Sequence, residues 1–397
     1  MTRLSLLWFF LTLIAANAAQ GSHAEASPCS GTNGKPTRGI GLVIGNRSYG
    51  AKPLKTPKDD AQEIAKTLCK LNFEVDLEID LNHAQMITAV QSLANTGKGK
   101  NLPIIFYYAG HGLQINGVNY LIPTDAAFTQ PSDIPKRTIS LDLVFDAIRS
   151  VGNAFPKIVI LDACRANPLA EVSVNDWIPG LAAPVNAPQN TLIAFATDPG
   201  SVAADGVGTH SPYTRSLLKT LQKPGLPVES VFRRVREDVQ SNTDGLQTPW
   251  ENTSLTAQFY FWEPIFASVQ INDADDDAII LVNGNEIAGW NNDRTALKRF
   301  SLEGGVNDVL VKVYNQRSYT GGIPLIGGHL PEGWHYSLQL RRSDGVELVK
   351  LSDKEDQPAD NGPHHGKLFT VAKFQIRIDE QTGEVSIINS DFHSWEH

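Results

Sequence analysis

The sequence predicts an α/β domain, a mostly parallel sheet with helices on both faces, followed by an all-β domain of jelly-roll or sandwich type. Three observations predict it. From Arg38 onward, short apolar runs alternate with segments of helical spacing. Near Trp262-Glu263-Pro264 the pattern changes to alternating apolar and polar residues separated by turn clusters. The length, 397 residues, suits two cores better than one.

The elements follow in order. Gly39–Ile44 (GIGLVI) reads as a short buried strand. Between Lys58 and Leu71, apolar residues at 61, 64, 65, 68 and 71 give helical spacing. Phe73–Ile79 alternates and predicts a strand, and His83–Ala94 predicts a helix. Pro103–Tyr108 (PIIFYY) is a continuous apolar strand, Leu141–Ile148 a helix, and Lys157–Leu161 and Leu192–Ala196 two more buried strands. Helices are expected over Tyr213–Leu221 and Val228–Val239. Beyond Ala267, strands are expected at Ala278–Val282, Val309–Tyr314, Tyr336–Leu340 and Phe374–Ile378, separated by NGN, GG and SDG turns.

Residues 1–18 stand apart. Arg3 supplies a positive start, Leu4–Ala15 is apolar except for Ser5 and Thr12, and Ala16-Asn17-Ala18 is a small-residue cleavage site. The run is too short to span a bilayer, so it reads as a cleaved secretory signal rather than an anchor. The expected organisation is a signal over 1–18, a flexible lead-in over 19–37, a first domain over 38–264 and an accessory β domain over 265–397. The formal net charge of -9, with no basic run, argues against nucleic acid or an anionic membrane as the main partner.

Two segments carry candidate chemistry. Ligands of open α/β sheets sit outside the carboxyl ends of the strands. There, PIIFYY runs into Ala109-Gly110-His111-Gly112, and KIVIL runs into Asp162-Ala163-Cys164-Arg165. A cysteine beside an imidazole forms the thiolate that attacks a carbonyl. The N–H groups of Gly112 and Cys164 are candidates to face the resulting oxyanion. Of the three cysteines, pairing Cys29 with Cys69 is the arrangement that frees Cys164; three unpaired thiols is the other reading.

Residues 38–263 resemble the caspase-like fold of the metacaspase and bacterial orthocaspase type. The resemblance rests on GLVIGNRSY (41–49), KDDA (58–61), FYYAGHGL (106–113), YLIPTD (120–125), VILDACR (159–165), ATDPGSVAADG (196–206), SPYTRSLL (211–218) and TPWE (248–251). It implies a cysteine endopeptidase with His111 as catalytic histidine, Cys164 as nucleophile and Gly112 as oxyanion donor. It implies a protein or peptide substrate and no required cofactor, and the chain is expected to act as a monomer.

The resemblance has a departure that bears on specificity. Animal caspases read QACRG around the nucleophile, whereas this chain reads Asp162-Ala163-Cys164-Arg165-Ala166. Residues i and i+2 of an extended segment point the same way, so Asp162 is expected beside Cys164. Metacaspases carry an acid there and prefer Arg or Lys, and their second pocket acid matches Asp60. The bland reading of Asp59 and Asp60 is a favourable charge at a helix N-terminus. That reading is kept for Asp59, and Asp60 is assigned to the pocket. No Lys or Arg occurs between Arg165 and Arg215, so a basic pocket finds no cleavage site in the linker after the cysteine, and an uncut single chain is expected.

The accessory domain gives weaker signals. Asp273-Ala274-Asp275-Asp276-Asp277 has oxygen ligands of the kind Ca²⁺ takes but lacks EF-hand spacing, and reads as a solvated acidic turn. Segments 277–289 and 306–316 resemble galactose-binding jelly rolls. Trp290, Trp334 and Tyr336 would then suit a carbohydrate platform, but a packing or substrate-presenting module is the default reading. The rival function is a silent caspase-fold binding protein that recognises a glycan or partner.

Overall fold

The computed structural model describes residues 29, 37–50, 52–164, 181–201, 203–206, 208–272, 277–290, 295–302, 305–314, 336–342, 347–353, 368–378 and 385–392. The signal segment, most of the loop after Cys164, Asp273–Asp276 and Trp334 lie outside them. The chain divides into two compact units, residues 1–193 with 199–211, and residues 194–198 with 212–397.

The first unit contains strands β1 (Gly39–Gly45), β2 (Phe73–Ile79), β3 (Ile104–Ile115), β4 (Val118–Leu121), β5 (Ile139–Ser140) and β6 (Lys157–Cys164). Its helices are α1 (Pro57–Lys70), α2 (His83–Gly97), α3 (Ile134–Arg137) and α4 (Leu141–Ser150). Strand β7 (Thr191–Phe195) starts there and ends in the second unit. The strand order is β2-β1-β3-β6-β7, and the β1/β2, β1/β3 and β3/β6 ladders are parallel. This is the mostly parallel sheet that the sequence predicts.

The two helix-bearing faces follow from strand alternation. Ile40 and Leu42 line a cavity with Leu93 and Thr96 of α2, whereas a Cβ on Gly41 would lie 3.8 Å from Leu68 of α1. Neighbouring residues of β1 therefore meet α1 and α2 on opposite faces. A Cβ on Gly45 would stand 2.4 Å from the Pro57 carbonyl, so the first turn of α1 rests directly on the end of β1. Pro57 opens α1, with Asp59 and Asp60 in its first turn. Asn82 and Gln85 form a capping box on α2. A Cys29–Cys69 disulfide ties the lead-in to the last turn of α1.

The second unit holds α5 (Pro212–Leu221), α6 (Val228–Asn242) and β8 (Trp250–Thr253), which follows β7 in the strand order. Beyond it come β9 (Ile265–Asn272), β10 (Asp277–Val282), β11 (Asn285–Trp290), β12 (Thr295–Leu302), β13 (Gly305–Tyr314), β14 (Tyr336–Arg342), β15 (Glu347–Asp353), β16 (Leu368–Ile378) and β17 (Val385–Phe392). They form two sheets, β11-β10-β13-β16-β17 and β12-β9-β14-β15, with antiparallel ladders throughout. Asn283 and Gly284, both at positive φ, make the two-residue turn between β10 and β11, as an Asn-Gly pair favours.

The structure differs from the sequence reading at β3. The sequence reading ends the strand at Tyr108, before Ala109-Gly110-His111-Gly112. Instead β3 continues to Ile115, and its outer part pairs with β4.

Candidate active site

The site is built where β3 changes partner. Residues Ile104–His111 pair with β6, and Gly112–Ile115 pair with β4. β6 ends at Cys164, whose register partner is His111. The two residues thus occupy the same level of adjacent parallel strands, where neighbouring strands run roughly 4.8 Å apart. Such a parting of strands at their carboxyl ends leaves a crevice.

The glycines of the segment answer to crowding. A Cβ on Gly110 would lie 2.6 Å from the Tyr108 hydroxyl and 2.7 Å from that of Tyr49. One on Gly112 would lie 3.1 Å from the Ala163 Cβ. Ile122 N–H donates to the His111 carbonyl at 3.0 Å, so Gly112 and Leu121 form a non-hydrogen-bonded pair of the antiparallel ladder. The Gly112 N–H consequently points away from β4, toward the side on which β6 ends.

His111 is 2% exposed and held on every side. Its N–H donates to the Tyr49 hydroxyl at 2.9 Å, and its carbonyl accepts from the Tyr108 hydroxyl at 2.7 Å. The Tyr49 and His111 rings lie 4.3 Å apart between centroids. Nε2 is 2.8 Å from the Lys52 carbonyl. A carbonyl only accepts, so Nε2 carries the proton and Nδ1 is the basic nitrogen of the ring.

Two acids sit beside this pair in sequence or in space. Asp162, two residues before Cys164, is 2% exposed, and Asp60 is 1% exposed. One residue touches both. The Ser211 hydroxyl donates to Asp162 Oδ2 at 2.5 Å, and its N–H lies 3.3 Å and 3.4 Å from the Asp60 oxygens. His210 Nδ1 lies 2.8 Å from Asp60 Oδ1. Burial first, and the Asp162 charge second, push the Asp60 carboxyl up to about 8. Asp205 binds the Lys55 and Thr56 N–H groups at 2.7 Å and 3.2 Å, fastening the segment before Ser211 to the start of α1.

The fold therefore brings His111 and Cys164 into register, and Asp60 and Asp162 onto one serine. Asp59 is not buried, in keeping with a helix-terminus role. Sequence reasoning missed Tyr49, the Lys52 carbonyl, Asp205, His210 and Ser211. Tyr49, Asp205 and Ser211 fall inside segments that carry the family resemblance, but nothing local marks their contacts. Among the described residues, no group of His, Cys, Asp and Glu could hold a metal ion.

Residues 38–260 match the family described as Caspase domain. The chain belongs to the caspase family. The chain is 28% identical over 165 residues to the mucosa-associated lymphoid tissue lymphoma translocation protein 1 homolog of Mus musculus, and equally to the Homo sapiens protein. Each match covers 41% of this chain but only 19% of the relative. Among solved structures, the chain is similar to the Drosophila initiator caspase Dronc, with a TM-score of 0.43 and 15% identity over 57% of this chain and 83% of that one.

Proposed function

We propose that this caspase-family domain is an active cysteine endopeptidase of the metacaspase and orthocaspase type, cleaving after Arg or Lys. His111 takes the Cys164 thiol proton, and the thiolate attacks the scissile carbonyl. The N–H groups of Gly112 and Cys164 stabilise the oxyanion. His111 returns the proton to the leaving amine, and water hydrolyses the thioester. The observation that carries this reading is the His111–Cys164 register pair, with the imidazole oriented by the Lys52 carbonyl.

The specificity reading rests on Asp60 and Asp162. Two buried carboxylates sharing one serine make a site in which a guanidinium or ammonium group is stabilised and a substrate carboxylate is repelled. The Cys29–Cys69 disulfide fits action in an oxidising compartment, in line with export. Fluorogenic peptides differing only in the residue before the scissile bond test the proposal. Turnover of the Arg and Lys peptides is expected, and a profile dominated by Asp refutes the basic pocket.

A further inference from the structure

His210 carries a role that its position in the sequence does not announce. Its side chain keeps 23% of its surface, whereas that of its partner Asp60 keeps 1%. The imidazole is the solvent-reached member of a pair whose other member is enclosed. His210 and Ser211 are consecutive, so one dipeptide serves both acids: His210 meets Asp60, and Ser211 meets Asp60 and Asp162.

We propose, resting on the assignment of Asp60 and Asp162 to the substrate's basic side chain, that His210 is a positioning residue that makes acceptance of that side chain proton-linked. In the empty pocket the protonated Asp60 carboxyl faces the His210 imidazole across their 2.8 Å contact. An arriving guanidinium or ammonium group takes over the stabilisation of the carboxylate, and the carboxyl proton leaves to solvent.

The charges around the pair support this. Asp162 from β6 and Asp205 from the segment before His210 both raise the proton affinity of Asp60, while Thr56 and the Ser211 N–H lower it. Lys58 and Asp59 precede Asp60 in the first turn of α1. Burial first, then Asp162 and Asp205, hold the Asp60 carboxyl up at about 8, so it keeps its proton through neutrality. An opposite charge close to a carboxylate lowers its pKa by about 1–3 units, which carries such a pair through neutral pH. The sign follows. Below about 8 the cation displaces a proton, so its affinity rises with pH; above about 8 the proton is already gone and the affinity levels off.

Benzamidine, a cation throughout this range, is the probe. Its binding to the full mature chain is measured by calorimetry from pH 5.5 to pH 9, in buffers of different ionisation enthalpy. About one proton should be released at pH 7 and none at pH 9, with affinity rising up to about tenfold per pH unit before levelling off. His210→Gln replaces the imidazole nitrogen that can accept from the protonated carboxyl by an amide that can donate to the ionised one, so the levelling point should move about one pH unit lower. Binding with a flat pH profile, or superimposable profiles for the parent and His210→Gln, overturns the inference and leaves the basic pocket standing. No binding at any pH overturns both.

Discussion

His111 and Cys164 are register partners on adjacent parallel strands, the last pair before β3 leaves β6 for β4. The two residues are thereby placed by backbone ladders rather than by a loop. Cys164→Ala should abolish turnover of Arg peptides, a loss of at least about a thousandfold. Its unfolding midpoint should stay close to the parent's. Circular dichroism and peptide kinetics on the same preparation check both halves.

Tyr49 positions the histidine through its hydroxyl, which accepts from His111 N–H and donates to the Ile122 carbonyl. Tyr49→Phe removes both bonds and keeps the ring contact. A fall in kcat of about tenfold with little change in KM is expected, equivalent to about 1.4 kcal/mol in the barrier. An unchanged kcat would show that the hydroxyl does not position the imidazole.

Asp60 makes the stability of the domain depend on pH. Its folded-state pKa is raised from 3.8 to about 8 by burial and by Asp162. An acid raised in this way binds more protons folded than unfolded between the two values, so stability falls as pH rises through that window. Asp60→Asn lacks this penalty. At pH 9 it should be more stable than the parent by on the order of 1–3 kcal/mol, and the advantage should fade toward pH 4. Urea unfolding at the two pH values measures the difference.

The Cys29–Cys69 bridge closes a long loop that includes β1 and α1. Replacing both cysteines by serine should cost about 2–4 kcal/mol through the freed unfolded chain. Thiol titration of the denatured, unreduced parent should find one free thiol, that of Cys164. Three thiols would show that the bridge does not form.

Most of the parallel sheet was legible because its strands are apolar runs and its helices repeat at helical spacing; β1, α1, β2 and α2 begin and end within a few residues of expectation. The outer half of β3 was not, because Gly110 and Gly112 resemble turn signals. They are glycines because the tyrosine hydroxyls and Ala163 crowd them. Asp162 stood out by its place before Cys164, but its bond to Ser211, 49 residues further on, did not. His210 and Ser211 were not, because their contacts with Asp60 join positions 150 and 151 residues apart, which only the tertiary fold brings together.

In the proposed mechanism Cys164 is a nucleophile activated by His111 at a site that selects a basic side chain. The most direct measurement is mass spectrometry of the protein after exposure to a peptidyl-arginine chloromethyl ketone. A single adduct on Cys164 is expected, strongly reduced in His111→Ala and slow to form with the matching aspartate reagent. No adduct, equal labelling in His111→Ala, or faster labelling by the aspartate reagent would contradict the account.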